Sequence, residues 1–131
     1  MIRGTSQEFR YKLPCNFSEL DVVKVKFWQE NYNGPARHRP LPIIKVKAQC
    51  SPGNQSNVLS ITLNQEETLR FSEKRKAKVQ LRALTTAGVP IASRERLIPV
   101  YPVCDDSILD NDVMPTPTYE DFVLLDGQNI I

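Results

Sequence analysis

The sequence contains few of the residues that most enzymes use for catalysis and none of the familiar phosphate or metal motifs. His38 is the only histidine, and the neighbouring Arg37 and Arg39 would disfavour its protonated form. There is no glycine-rich phosphate loop, and the cysteine and histidine spacings do not match a zinc site. Four aspartates at 105–112 lack the central glycine and closing glutamate of a calcium loop. The sequence therefore predicts a protein that is not an enzyme, with no cofactor and no metal site.

Cysteine is scarce, and long apolar runs are absent. Cys15, Cys50 and Cys104 are odd in number, widely spaced and not preceded by a signal peptide, so we expect reduced, buried thiols rather than a disulfide framework. No apolar run approaches the roughly 18 residues that a membrane-spanning helix needs. We therefore expect no membrane association.

Lysine and arginine are absent from residues 104–131, which carry seven Asp and Glu and a net charge of −7. Residues 1–103 carry all 17 Lys and Arg and eight Asp and Glu, a net charge of +9. So sharp a division of charge predicts an acidic tail that meets a basic surface, either its own or that of a neighbour.

Five segments in the first hundred residues alternate apolar with polar side chains, which is typical of strands with one buried and one solvent-facing side. They are EFRYKL (8–13), VVKVKF (22–27), IIKVKA (43–48), VLSITL (58–63) and KAKVQLRAL (76–84). In the third segment the alternation predicts Ile44 and Val46 inside, with Lys45 and Lys47 outside. Between strands, Asn64 and Glu67 have the spacing of a helix capping box.

Turn residues at 51–57 and 85–90 predict antiparallel connections between these strands. The expected fold is all-β: an antiparallel two-sheet β-sandwich, Ig-like, with six or seven strands in one domain at 1–103. A proline-rich loop at 30–42 is longer than a hairpin needs.

The sequence predicts that residues 104–131 form an extended C-terminal arm, because Pro115 and Pro117 oppose a helix. The arm carries more large apolar groups than a disordered acidic tail normally does, and we expect them to be buried against another subunit. These partner-binding residues are Tyr119, Phe122, Val123, Leu124, Leu125, Ile130 and Ile131.

A second candidate surface is a basic face formed by the polar positions of three strands. Its members are Lys24, Lys26, Lys45, Lys47, Lys76, Lys78 and Arg82. If the strands are neighbours, the face would bind nucleic acid, an acidic protein or the chain's own tail. The alternative is an ordinary solvated surface whose lysines protect sheet edges. Aromatic residues are not interleaved with the lysines, so base stacking is not indicated.

The opening IRGTSQEFRYKLP and the block NQEETLRFSEKRKAKVQLRALTTAGVPIAS resemble small proteins encoded by tailed bacteriophages and prophages. The resemblance covers about residues 2–100 and implies a small β-sandwich with a structural role in the virion. The 30–42 loop and the tail are longer than the family pattern. The matching positions are scaffold residues: Ile2, Arg3, Gly4, Thr5, Gln65, Glu66, Thr68, Gly88, Ala92 and Ser93.

These observations lead us to expect a structural protein of a tailed phage particle, either capsid-associated or part of the tail or neck. Its expected partners are other virion proteins and copies of itself, bound through the arm. It would be found in the virion, and in the host cytoplasm during assembly. The alternative is a phage nucleic-acid-binding or host-interaction module that uses the basic face.

Overall fold

A computed structural model describes residues 1–29, 41–104 and 108–109 of the chain. Within them are eight strands, one α-helix and two short 3-10 turns, at Phe17–Glu19 and Lys47–Gln49. The strands are β1 (Gln7–Lys12), β2 (Leu20–Trp28), β3 (Ile43–Val46), β4 (Cys50–Pro52), β5 (Val58–Leu63), β6 (Ala77–Thr85), β7 (Pro90–Ala92) and β8 (Arg96–Ile98), and the helix is α1 (Gln65–Leu69).

The strands form two antiparallel sheets, which confirms the predicted all-β sandwich. The three-stranded sheet has the order β1-β5-β4. The five-stranded sheet has the order β3-β2-β6-β7, and β8 also pairs with β6. Since β2 occupies one edge of β6, both β7 and β8 lie on the other edge. Counted as one interrupted strand, they bring the total to seven, within the expected six or seven.

Ser93 carries the hydrogen-bond ladder across the break between β7 and β8. Its N–H donates to the carbonyl oxygen of Leu81 at 2.9 Å, and its hydroxyl accepts from the N–H of Leu81, also at 2.9 Å. The side chain of Gln80 donates to the carbonyl oxygen of Ser93 at 3.1 Å. The buried edge of β6 therefore keeps its partners where the facing strand bends away.

The core lies between the two sheets and follows the predicted alternation in four of the five segments. Phe9, Tyr11 and Leu13 are buried, and so are the apolar positions predicted to face inward in the second, fourth and fifth segments. The rings of Phe9 and Phe27 meet edge to face with centroids 4.8 Å apart, joining β1 to β2 across the sandwich.

The alternation predicted for the third segment is wrong by one residue. Ile43 and Lys45 are buried, whereas Ile44 and Val46 are 44% and 47% exposed. The register with β2 sets this phase, because Ile43 and Lys45 lie opposite the inward-facing Phe27 and Val25. β3 then ends at Val46, and Lys47 begins a 3-10 turn instead of continuing the strand.

Helix α1 has the capping box that the sequence predicts. The side chain of Asn64 accepts a hydrogen bond from the N–H of Glu67 at 2.9 Å, and the carboxylate of Glu67 accepts from the N–H of Asn64 at 3.0 Å. Thr68 is fully buried, and its hydroxyl connects the helix to the backbone of Gly4 and Thr5. The helix thus closes the end of the sandwich at which β1 begins.

The polypeptide also leaves β8 towards this end. Met1 and Arg3 flank Tyr101 in a short parallel pairing, with N–H to oxygen distances of 2.8 and 3.1 Å. Farther along, Leu109 exchanges two hydrogen bonds with the side-chain amide of Gln65, at 3.0 and 3.3 Å. The described chain therefore ends beside the first turn of α1.

The loop, the arm, the cysteines and the absence of a membrane span were also predicted from the sequence. Residues 30–40 of the proline-rich loop and all seven apolar residues predicted in the arm lie outside the described residues. The three cysteines are unpaired, but Cys15 and Cys50 are only half-buried and Cys104 is exposed, so the expectation of three buried thiols is wrong. In the described part of the chain, no helix has the length and apolar character needed to cross a membrane.

Candidate docking surface on the five-stranded sheet

The outer side of the five-stranded sheet collects four of the predicted basic residues. Pairing of β2 with β6 places Lys24 opposite Arg82, and Trp28 opposite Lys78. Lys26 lies between them along β2 and opposite Gln80. Because the alternate residues of both strands are buried in the core, these side chains point to solvent. We call this outer side, formed by β2, β3 and β6–β8, the basic sheet face.

Apolar residues surround the cations of this face. Each belongs to an outward-facing position, and all are exposed except the half-buried Ala92: Val22, Ile44, Val46, Leu84, Pro90, Ala92 and Leu97. Val46 lies opposite Lys24, and Ile44 lies opposite Lys26. A surface that alternates cations with aliphatic side chains suits a partner with both carboxylates and apolar groups.

A β-bulge explains why Val22 belongs to this face. The register between β2 and β6 shifts at Asp21, so that Leu20 lies opposite Thr85 and Val22 lies opposite Leu84. Without the extra residue, Leu20 and Val22 would point the same way. With it, Leu20 is fully buried and Val22 is 54% exposed.

The hairpin between β6 and β7 borders an open groove of about 490 Å³ on this face. Two rows of paired residues line it: Val22, Leu84 and Pro90 in one, and Lys24, Arg82 and Ala92 in the other. Gly88 turns the hairpin with a φ of 81°, a conformation that glycine adopts without strain. The groove therefore has an apolar end at the hairpin and a cationic end nearer the middle of the sheet.

The cations of the groove have no acidic partner in the described part of the chain. Neither Lys24 nor Arg82 forms an ion pair there, and the ammonium of Lys26 lies 5.1 Å from the centroid of the Trp28 ring. Exposed acidic residues occur only at the margins of this face among the described residues, as Asp21 at the bulge and Glu95 between β7 and β8. The centre of the groove is therefore electropositive.

The outer side of the three-stranded sheet is different. Glu8 and Arg10 form an ion pair at 2.8 Å, so their charges are balanced locally. Across from them on β5 are Thr62 and Ser60. This side is polar and hydroxyl-rich, which leaves the basic sheet face as the more suitable of the two for an acidic, apolar partner.

Two predicted members of the basic set are elsewhere, and a third is at the border. Lys45 points into the sandwich, where its ammonium contacts the carboxylate of Glu67 at 2.7 and 2.9 Å. Lys47 is half-buried in the 3-10 turn and donates to the carbonyl oxygen of Leu20. Lys76 is exposed just before β6 begins. The prediction that Lys45 and Lys47 lie on the exposed face is therefore wrong, because the phase of β3 is reversed.

The apolar half of the groove was not predicted from the sequence. The signal was present in the doublets Val22–Val23 and Ala83–Leu84, because adjacent residues of a strand point to opposite sides. One member of each doublet must then face outward unless the strand is buried on both sides. Alternation alone does not say which member does so.

The same end of the sandwich has a second groove, of about 570 Å³, lined by Cys15, Glu19, Thr85 and Val89 among others. Burial and the nearby Glu19 carboxylate raise the pKa of the Cys15 thiol. Burial likewise raises the pKa of Cys50 to about 11, although Lys45 opposes the shift. Both thiols are therefore protonated near neutral pH and poorly nucleophilic.

The described residues contain no cluster of three His, Cys, Asp or Glu side chains that could hold a metal ion. No protein-family model matches this chain, and no curated protein matches it. The interpretation of the basic sheet face as a docking surface therefore depends on the residues and geometry of the face itself.

Proposed function

We propose that this protein is a non-enzymatic structural component of a tailed phage particle, associated with the capsid or part of the tail or neck. It docks on neighbouring subunits through the acidic residues 104–131. The observation that supports docking most strongly is the charge division: a segment of charge −7 belongs to a body whose five-stranded sheet exposes a cationic and apolar face. The resemblance to phage-encoded β-sandwich proteins supports the proposed location in a phage particle.

The packing of the body is consistent with a segment that is available to a partner. In the part of the chain that the structure describes, one apolar cluster running from Met1 to Val100 fills the space between the sheets. Leu109, the last described residue, is held at the surface by Gln65 and is 62% exposed. Among the described residues, this cluster has no member beyond Val100.

Docking by such a segment uses two kinds of interaction. Burial of large apolar side chains and main-chain pairing provide affinity. Opposite charges orient the partners and raise the association rate, and this contribution weakens with added salt.

Binding of nucleic acid is the second candidate, and the cluster of Lys24, Lys26 and Arg82 on one face favours it. Nucleic-acid interfaces, however, are more polar than this face, which has aliphatic residues beside each cation. Affinity for random DNA that falls steeply with salt, and that is lost on substitution of these cations, would support this candidate over docking.

The direct experiment is mass spectrometry of purified particles encoded by the genome that carries this chain. Carbodiimide crosslinking is suitable because residues 104–131 offer carboxylates but no lysine. We expect the protein in the particles, with crosslinks from Glu120, Asp121 or Asp126 to lysines of other subunits. Absence of the protein from intact particles would contradict the proposal.

A further inference from the structure

We propose that the groove beside the β6–β7 hairpin receives residues 119–126 of a second copy of this chain, so that copies join head to tail. This inference rests on the proposed function, because it takes the C-terminal segment as the docking element. It adds the receiving surface, the identity of the partner and the geometry of assembly.

The chemistry of the segment matches that of the groove. In YEDFVLLD (119–126), the even positions are Glu120, Phe122, Leu124 and Asp126, which place two large apolar side chains between two carboxylates. Even positions share one side of an extended chain and recur about every 6.6 Å. The apolar row and the cationic row of the groove also lie two residues apart along their strands. The distance from Leu124 to Asp126 in an extended segment therefore equals the distance between the two rows.

The cationic row is ready to receive a carboxylate. Lys24 and Arg82 are directly opposite each other on neighbouring strands, and neither has an acidic partner among the described residues. A segment entering from the hairpin end would bring Leu124 against Val22 and Leu84, and Asp126 to the two cations. Burial of the aliphatic contacts would also shield the resulting ion pairs from water.

The position of the chain's exit favours a second copy over the chain's own groove. Leu109 is fixed at the end of the sandwich where β6 begins, and the groove is where β6 ends. From Ala77 to Leu84 the strand covers roughly 23 Å. To reach the groove of its own chain, the segment must reverse direction at the end where β6 begins and then run the length of the sheet. Copies stacked end to end place the exit of one beside the groove of the next, and residues 110–118 can span up to about 30 Å.

Such a contact joins two different surfaces, so it closes into a ring or continues as a chain of copies. This property allows a complementation test with full-length proteins. The groove variant is Lys24→Glu, in which the new carboxylate lies opposite Arg82 and neutralises it. The arm variant carries Phe122→Ser and Leu124→Ser.

Sedimentation velocity over a range of concentrations measures the assembly. We expect the wild-type mass to rise with concentration, and each variant alone to associate at least about tenfold more weakly. An equimolar mixture of the two variants should form dimers only, since it retains one intact groove and one intact arm per pair. Lys12→Glu makes the same charge change on the outer side of the other sheet and should behave as wild type. Unchanged melting temperatures would show that the variants are folded.

Each contrary result has a distinct meaning. If Lys24→Glu associates as wild type while the arm variant does not, the arm docks but the groove assignment is wrong. If the arm variant associates as wild type, the proposed function itself is contradicted. A wild-type protein that stays monomeric overturns the inference. In that case, amide protection of residues 119–126 would identify its own groove as the site, and DNA binding lost only in Lys24→Glu would identify nucleic acid.

Discussion

Lys45 carries its charge into the sandwich, and its ion pair with Glu67 explains how that charge is tolerated there. The side chains of Lys45 and Glu67 are only 11% and 14% exposed. A charge so little hydrated is stable only when it is paired and hydrogen-bonded. Glu67 provides this and also caps α1, so one carboxylate connects β3 to the helix.

Replacement of Glu67 by glutamine should therefore destabilise the protein markedly. Breaking a fully buried pair costs about 3–5 kcal/mol, and the remaining exposure should reduce the loss to about 2–3 kcal/mol. Glu66→Gln is the matched control, because Glu66 of the same helix forms an exposed pair, 3.9 Å apart, with Arg70 at the C-terminal cap. It should change the free energy of unfolding by less than about 0.5 kcal/mol. If urea denaturation showed equal losses of unfolding free energy for the two variants, the buried charge of Lys45 would not depend on its pairing with Glu67.

At the scale of single strands, periodicity predicts most of the fold, but it does not decide the phase of β3. In four segments the phase that the alternation favours is the one found, although the second segment also begins with an apolar doublet, Val22–Val23. β3 begins with Ile43 and Ile44, and either isoleucine could face the core. The register with β2 and the position of Glu67 decide between them, and both depend on residues distant in the sequence.

The groove, too, could be predicted only in part from the alternation of apolar and polar residues. Lys24 and Arg82 were predicted to share a face, because the alternation of both strands was clear and only their adjacency was unknown. The contribution of Val22 depends on the bulge at Asp21, for which the sequence has no distinct signal. The cationic part of the candidate site was thus predictable, whereas its apolar part needed the three-dimensional register.

Strand β6 offers a direct test of the confirmed alternation. Leu81 is fully buried and should cost about 2–5 kcal/mol when replaced by alanine, since a cavity remains. Arg82 is exposed, and its replacement by alanine should cost less than about 0.5 kcal/mol. Chemical denaturation of the two variants measures both values. Similar losses would be incompatible with β6 having one buried and one exposed side.

At the scale of the whole molecule, the sandwich has two unlike ends. At one end, α1, Met1–Arg3 and the chain leaving β8 lie close together. At the other end, the β6–β7 hairpin and the bulge of β2 border the groove. This polarity is what a head-to-tail contact requires, because the donor and the receptor of the contact are at opposite ends.

The boundary between body and arm can be located by truncation. The sequence places it at residue 103, whereas the hydrogen bonds between Gln65 and Leu109 extend the described contacts beyond that point. A chain ending at 109 keeps the whole cluster from Met1 to Val100 and should unfold cooperatively, with a β-type circular dichroism spectrum and stability close to that of the full chain. It should also lose concentration-dependent association.

A chain ending at 98 is the control: it lacks the buried Val100 and the pairing of Tyr101 with Met1 and Arg3, so it should be clearly less stable. If the chain ending at 109 is instead unfolded, residues 110–131 complete the core and cannot act mainly as a docking arm.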